Sequence, residues 1–178
     1  MKYLLLILIM TGIFACERSR NCEVLDEYNL KYCYPDGFKK IKPAEPLFYD
    51  EMKNVAEYEL QNLSSGHVYF RIRSQHIDDR NQVRNNEWDF DEYCNNYVEN
   101  LKALNSSSEV QSLRKSTLGK WRRMDISYTI QSDTFSQFRS DIVLLCETDV
   151  LTFEYNYYEM SGTLLKGYQD FDIKLSIY

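Results

Sequence analysis

MDISYTIQSDTFSQFRSDIVLLCETDVLTFEYNYY, residues 124–158, alternates between apolar and polar side chains for most of its length. Met124, Ile126, Tyr128 and Ile130 are separated by Asp125, Ser127 and Thr129, the period-two pattern of a half-buried strand. Phe138, Ile142, Leu144 and Cys146 form a second apolar set, and Leu151, Phe153, Tyr155 and Tyr157 a third. Ser132-Asp133 and Glu147-Thr148-Asp149 supply the turn chemistry between them. Three successive strands joined by short polar turns predict an antiparallel meander.

The same alternation extends upstream. Val110 to Thr117 reads as a polar strand that Gly119 ends in a turn, and Val68, Phe70 and Ile72 alternate with Tyr69, Arg71 and Arg73 after Ser64-Ser65-Gly66. Ala56 to Gln61 is a further, weaker strand. Tyr28, Leu30, Tyr32 and Tyr34 form the earliest one, and Pro43 and Pro46 mark a loop that no central strand could hold. His76 to Asn86 is polar and reads as a loop. Beyond it the period changes: Phe90, Cys94, Tyr97, Leu101 and Leu104 predict an amphipathic helix over 88–104. Leu164, Tyr168, Phe171 and Leu175 recur at helical spacing and predict a closing C-terminal helix despite Gly167. The fold class expected is α+β, an antiparallel sheet of about six or seven strands with two helices shielding its apolar face from water.

Tyr34-Pro35-Asp36-Gly37-Phe38 after a first strand, then a central helix, a three-strand meander and a closing helix with Phe171, Ile173 and Ser176, resemble the PsbP and DcrB-like family. The resemblance covers residues 27–178 and implies a sandwich built on an antiparallel sheet. It also implies an accessory or protein-interaction module without a shared catalytic apparatus, so no site residues are carried over. The turn has a physical reading of its own, since Pro35 presets φ and Gly37 accepts positive φ.

Residues 3–15, YLLLILIMTGIFA, follow Lys2 and have the length of a signal-peptide apolar region, well short of the roughly 20 residues of a membrane-spanning helix. Ile13-Phe14-Ala15-Cys16 resembles the bacterial lipobox, with Phe14 where that pattern favours a small or β-branched residue. The resemblance implies lipidation of Cys16, a palmitate-type anchor, and removal of residues 1–15. Several acyl chains hold a protein on a membrane stably where one does not. The organisation expected is therefore a signal peptide over 1–15, a polar tether over 16–26 and a single α+β domain over 27–178. Its place is the bacterial cell envelope, at the outer membrane or the periplasmic face.

The 178 residues carry 21 basic and 27 acidic side chains, a net charge of −6. Only Lys2 among the charged residues is lost with the leader, and no basic block is longer than Arg122-Arg123 beside Trp121. Such a chain lacks the clustered cations that phosphate backbones require, which excludes nucleic acid as a partner. An acidic balance also gives no electrostatic hold on an anionic leaflet, leaving the lipid as the membrane contact.

Once Cys16 is assigned to lipid, Cys22, Cys33, Cys94 and Cys146 allow three disulfide connectivities and show no metal-binding spacing. Cys22 and Cys33 are placed to close a short loop. Cys94 and Cys146 fall on apolar faces and read either as a second bridge or as buried thiols. The two histidines, His67 and His76, are far apart in role: the first borders a strand, and the second lies near Asp78 and Asp79, a pair better explained as solvated loop residues than as metal ligands. Glu87, Asp89, Asp91 and Glu92 suit the start of the predicted helix, where carboxylates complement the macrodipole. No phosphate-binding, nucleophile-elbow or zinc-protease motif occurs.

Trp121 and Arg123 share the strand face opposite Met124 and are the candidate interface pair, an aromatic and a guanidinium. The plainer reading places Trp121 at the sheet edge or under a loop with Arg123 on a local carboxylate. Together these features read as a membrane-anchored, non-enzymatic lipoprotein without cofactor or metal, which binds or helps assemble another envelope protein. A carrier of a small apolar ligand is the alternative, and an envelope enzyme comes third.

Overall fold

Alternating patterns on this scale are resolved by pairing strands, and a computed structural model shows how. It describes residues 20–42, 53–60, 66–76, 90–104, 107–131, 134–147, 149–159 and 172–178. These pack as two compact units, one containing residues up to Asp36 together with Asp172–Tyr178, the other Gly37–Phe171.

The larger unit contains β3 (Phe38–Ile41), β4 (Lys53–Leu60), β5 (Gly66–His76), β6 (Ser108–Leu118), β7 (Trp121–Gln131), β8 (Ser136–Cys146), β9 (Asp149–Glu159) and the helix α1 (Phe90–Leu104). Its strands form one seven-stranded sheet in the order β3-β4-β5-β9-β8-β7-β6, with every neighbour antiparallel. The meander expected from residues 124–158 is therefore β7-β8-β9. Leu118 faces Trp121 across a two-residue turn whose first residue, Gly119, has φ 59°, the left-handed conformation such a hairpin requires. Cys146 faces Asp149 across a second tight turn, where Glu147 has φ 52°.

Period two then sorts the residues by face. Met124, Ile126, Tyr128, Ile130, Val143, Leu145 and Val150 make one buried cluster with Cys94, and Phe90, Tyr93, Tyr97, Val98 and Leu101 of α1 pack against it. The 3.6-residue spacing seen in the sequence is the stripe that α1 lays on the sheet. On the other face Tyr58, Phe70 and Phe153 stack in series across β4, β5 and β9, with ring centroids 5.4 and 6.5 Å apart. Val68, Ile72, Leu144, Leu151, Tyr155 and Tyr157 are buried on that same face. Residues on both faces of β9 are buried, as expected for a central strand.

The smaller unit is a three-stranded antiparallel sheet of β1 (Arg20–Leu25), β2 (Leu30–Pro35) and β10 (Lys174–Ile177), in the order β1-β2-β10. A 3-10 turn over Asp26–Tyr28 joins β1 to β2, closed by Asn29 at φ 52°, a left-handed position that asparagine tolerates. The hydroxyls of Tyr32 and Tyr34 donate to the two carboxylate oxygens of Glu23 at 3.0 and 2.9 Å, and the Tyr178 hydroxyl donates to Asp26 at 2.5 Å.

Two expectations change here. Residues 20–25, read as part of a polar tether, are strand β1, because pairing with the tyrosine-rich β2 satisfies a backbone whose own side chains signal little burial. Leu175, read as the last position of a C-terminal helix, lies in β10 opposite Tyr32. Ile173, Leu175 and Ile177 alternate, and strand pairing to β2 wins over the helical spacing at that end. Leu164, Tyr168 and Phe171 lie outside the described residues, as do residues 1–19, Pro43, Pro46, 77–89 and the Ser132-Asp133 turn. One helix, α1, is thus described where two were expected.

Gly37 carries the turn between β2 and β3 at φ 96°, and a Cβ built there would stand 2.9 Å from Cδ1 of Leu60. Gly37→Ala is expected to destabilise the protein by about 1–2 kcal/mol, the cost of a left-handed conformation for a residue with a Cβ. A urea titration checks this through a lower midpoint at unchanged slope.

Candidate functional site

The face of the sheet that receives α1 is apolar only toward β7. Following the register outward, Asp141 of β8 faces Glu154 of β9, which faces Arg71 of β5. One pair along, Arg139 faces Asn156, which faces Tyr69. Side chains directly opposite lie within reach of one another, so strand pairing alone gathers these charges into a patch. Arg73 and Glu57 extend it on β5 and β4.

Asp141 is fully buried, at 0% exposure. It accepts a hydrogen bond from the Tyr97 hydroxyl at 2.7 Å and two from Nε of Arg139 at 3.0 and 3.1 Å. Nη2 of Arg139 reaches Oε1 of Glu154 at 3.0 Å, and Arg73 donates to that same oxygen. Arg71 lies 3.8 Å from Glu57 and stacks over Tyr69 at 5.0 Å. Arg139 also lies over the Tyr128 ring at 5.9 Å. Gln137 donates to Oδ1 of Asn156 at 2.5 Å, while Nδ2 of buried Asn156 and Nε of Arg71 have no hydrogen-bond partner among the described residues.

Burial is the largest influence on Asp141, Arg139 and the tyrosines around them. It pushes the Asp141 carboxyl above the ordinary carboxylate range, with Glu154 adding to the effect and Arg139 and Tyr97 opposing it. Burial works to lower the Arg139 guanidinium, but Asp141 and Glu154 together more than offset it and hold the charge in place. Burial likewise raises the hydroxyls of Tyr97, Tyr128 and Tyr69, and pushes Tyr93 up to about 12, so all four remain proton donors. The arrangement is a fixed array of dipoles and charges clamped under α1, suited to holding shape and presenting Arg71 and Tyr69 at its margin.

Sequence-predicted residues are placed as follows. Cys22 and Cys33 face each other across β1 and β2 and form a disulfide, with Cα atoms 4.1 Å apart. Cys94 and Cys146 are both buried free thiols rather than a second bridge. Trp121 and Arg123 show the arrangement of the plainer reading. Trp121 is 2% exposed, with Lys120 over its ring at 5.7 Å, and Arg123 donates to Asp125 at 2.8 Å. Both lie on the face of β7 opposite Met124, and neither is exposed there. His67 lies 3.4 Å from Glu59, and His76 bonds Asp149 at 2.9 Å, while Asp78, Asp79, Glu87 and Asp89 lie outside the described residues. Asp91 and Glu92 open α1, and Asp91 pairs with Lys115 at 2.5 Å. Cys16 lies outside the described residues. Among the described residues no group of three or more His, Cys, Asp or Glu side chains gathers as a metal site would require, and no helix is long and apolar enough to cross a membrane.

The sequence reading missed Tyr97, Arg139, Asp141, Glu154 and Asn156 as a set. A signal was present: once β8 and β9 are paired through their turn, Asp141 and Glu154 are forced opposite each other, and two facing carboxylates require a cation.

No protein-family model and no curated protein matches the sequence. Among solved structures the chain is similar to the Ran-binding protein Mog1p of Saccharomyces cerevisiae, with a TM-score of 0.52 at 10% identity, over 85% of this chain and 80% of that chain. It is also similar to LpqN, involved in cell envelope biogenesis of Mycobacterium tuberculosis, with a TM-score of 0.48 at 9% identity over 92% and 87% of the two chains. The cyanobacterial PsbP of Synechocystis sp. PCC 6803 gives 0.47 at 10% identity over 80% and 82%. At such identities the likeness to Mog1p is one of fold alone.

Removing the cation from between the two carboxylates tests the array. Arg139→Met is expected to cost roughly 3–5 kcal/mol at neutral pH, since it leaves buried charge uncompensated. The folded-state value of Asp141 lies above its unfolded one, so its contribution is full below the ordinary carboxylate value and is lost as pH rises through the raised one. Without Arg139 that loss deepens, and the deficit of Arg139→Met, read from urea midpoints, shrinks on going from about pH 7 to about pH 4. At the exposed Asp91–Lys115 pair, Asp91→Asn costs less than about 1 kcal/mol.

Proposed function

We propose that this chain is a lipid-anchored protein of the bacterial cell envelope whose folded units act as an interaction or assembly accessory rather than as a catalyst. The observation that carries the reading is the Cys22–Cys33 disulfide, formed in the first strand after a leader-like segment that ends in Ile13-Phe14-Ala15-Cys16. Disulfides persist in oxidising compartments outside the cytoplasm, so the bridge and the leader point to the same place by independent chemistry. The acyl chains on Cys16 then supply the membrane contact that an acidic chain lacks by charge.

The accessory role draws support from how the charged groups are used. Asp141 and Glu154 accept from Arg139, and Glu159 accepts from the Tyr157 hydroxyl at 3.0 Å. The free thiols of Cys94 and Cys146 are buried, where a thiol behaves as a small hydrophobe. These groups are engaged within β8 and β9 or, for Arg139 and Glu154, between them, and the exposed surface is left for contacts with another protein.

In a bacterial host the full chain is expected to fractionate with membranes and to incorporate labelled palmitate, and Cys16→Ser is expected to abolish the labelling. Palmitate incorporation unchanged in Cys16→Ser removes the anchor. Alkylation of unfolded protein before and after reduction is expected to reveal two additional thiols only after reduction. Crosslinking in intact membranes that joins the chain to no envelope protein removes the accessory role.

A further inference from the structure

The two edges of the seven-stranded sheet differ. At one end β3 is four residues long and exposes Lys39 and Lys40, the short charged edge that resists pairing with other chains. At the other end β6 runs for eleven residues, pairs only with β7 among the described strands, and is exposed from Gln111 through Thr117.

The side-chain order along β6 is unusual because its register against β7 shifts between Val110 and Ser112. Gln111 bonds Thr129 at 3.3 Å and Ser112 bonds Ser127 at 2.7 Å, and those partners share one face of β7. Gln111 and Ser112 therefore share a face although they are adjacent, and the parity of β6 reverses across them. Ser108, Val110, Leu113 and Lys115 fall on the face that receives α1, with Glu109 and Arg114 on the other.

We propose that β6 pairs antiparallel with β6 of a second copy of this chain, about a two-fold axis passing between Gln111 and Ser112. This register sets Glu109 opposite Arg114, Val110 opposite Leu113 and Ser108 opposite Lys115, each pair on a single face, and symmetry makes every pair occur twice. Moving the register by one residue in either direction sets Glu109 opposite Leu113 or Lys115, whose side chains lie on the other face. Arg114 donates to Asp125 of β7 at 3.2 and 3.0 Å, yet its side chain is 74% exposed, so the guanidinium keeps free donors for a carboxylate arriving at the open edge. Leu113, 43% exposed and among the few large apolar side chains so placed, gains Val110 of the second copy as its cover. A second copy is the partner favoured because the strand is complementary to itself, acid to base and apolar to apolar. One strand from each copy makes an interface at the small end of the specific range, so the association depends on concentration.

Sedimentation equilibrium of the full chain in a density-matched detergent tests the proposal, with no dependence on whether Cys16 is lipidated. A monomer–dimer equilibrium is expected. Glu109→Arg and Arg114→Glu each set two pairs of like charges face to face and are expected to weaken it by about tenfold or more. The double variant reverses both charges together and is expected to return to within about threefold of the parent. Leu113→Lys alters an exposed side chain that leaves the fold intact and is expected to weaken the dimer too. A chain that stays monomeric, a dimer indifferent to Leu113→Lys and to the single reversals, or a double variant that does not recover each overturns the proposal.

Discussion

Arg139 lies between two carboxylates that strand pairing places face to face, Asp141 on β8 and Glu154 on β9, both almost fully removed from water. An isolated buried carboxylate is costly enough that two of them side by side could not persist without a cation bonded to each. Arg139 meets both demands from one guanidinium, using Nε for Asp141 and Nη2 for Glu154. The register of β8 against β9 depends on this contact. A slip of one residue between β8 and β9 would put Glu154 on the opposite face from Arg139 and Asp141 and break the contact. The ionic contact thus selects among pairings that the apolar residues alone would separate less sharply, and α1 seals it by directing the Tyr97 hydroxyl at Asp141.

Legibility in the sequence followed the apolar periodicity closely. Met124, Ile126, Tyr128 and Ile130 are all buried on one face, and Phe90, Cys94, Tyr97 and Leu101 mark the stripe with which α1 covers it. Thr152, Glu154 and Asn156 of β9 show where that reasoning stops. They alternate with Leu151, Phe153 and Tyr155 as a solvated face would, yet they are buried, because a strand in the middle of a sheet covered on both sides has no wet face. Local alternation reports polarity, whereas burial of the polar side depends on an element more than thirty residues away in the chain.

The smaller sheet was harder to see for a different reason. Arg20–Leu25 carries no run of apolar residues, and its place is set by β2, to which it is bonded along the backbone, through Cys22 to Cys33, and through Glu23 to Tyr32 and Tyr34. β10 flanks β2 on the other side although about 140 residues intervene, a long-range pairing whose closure entropy grows only slowly with separation. Nothing in the local spacing of Leu164, Tyr168, Phe171 and Leu175 distinguishes a helix that ends at Leu175 from a chain already turned into a strand. The alternation of Ile173, Leu175 and Ile177 carried the better signal, and it is too short to outweigh a longer helical pattern without a known partner.

On the proposed anchoring, the distance from bilayer to fold follows from this second sheet. Strand β1 begins at Arg20, so Glu17, Arg18 and Ser19 alone separate it from Cys16. Fully extended, a linker of that length spans roughly 10–14 Å, comparable to the headgroup layer on one side of a bilayer and little more. A tether over 16–26 would have allowed the folded part to range several times farther. Were Cys16 lipidated as proposed, β1, paired to β2 and bridged to it, would keep the smaller unit close to the membrane surface. The disulfide then joins the strand nearest the anchor covalently to the strand that bonds both of its neighbours. Under that anchoring, a pull on the lipid would reach β2 through the disulfide even where the hydrogen bonds of the edge strand open.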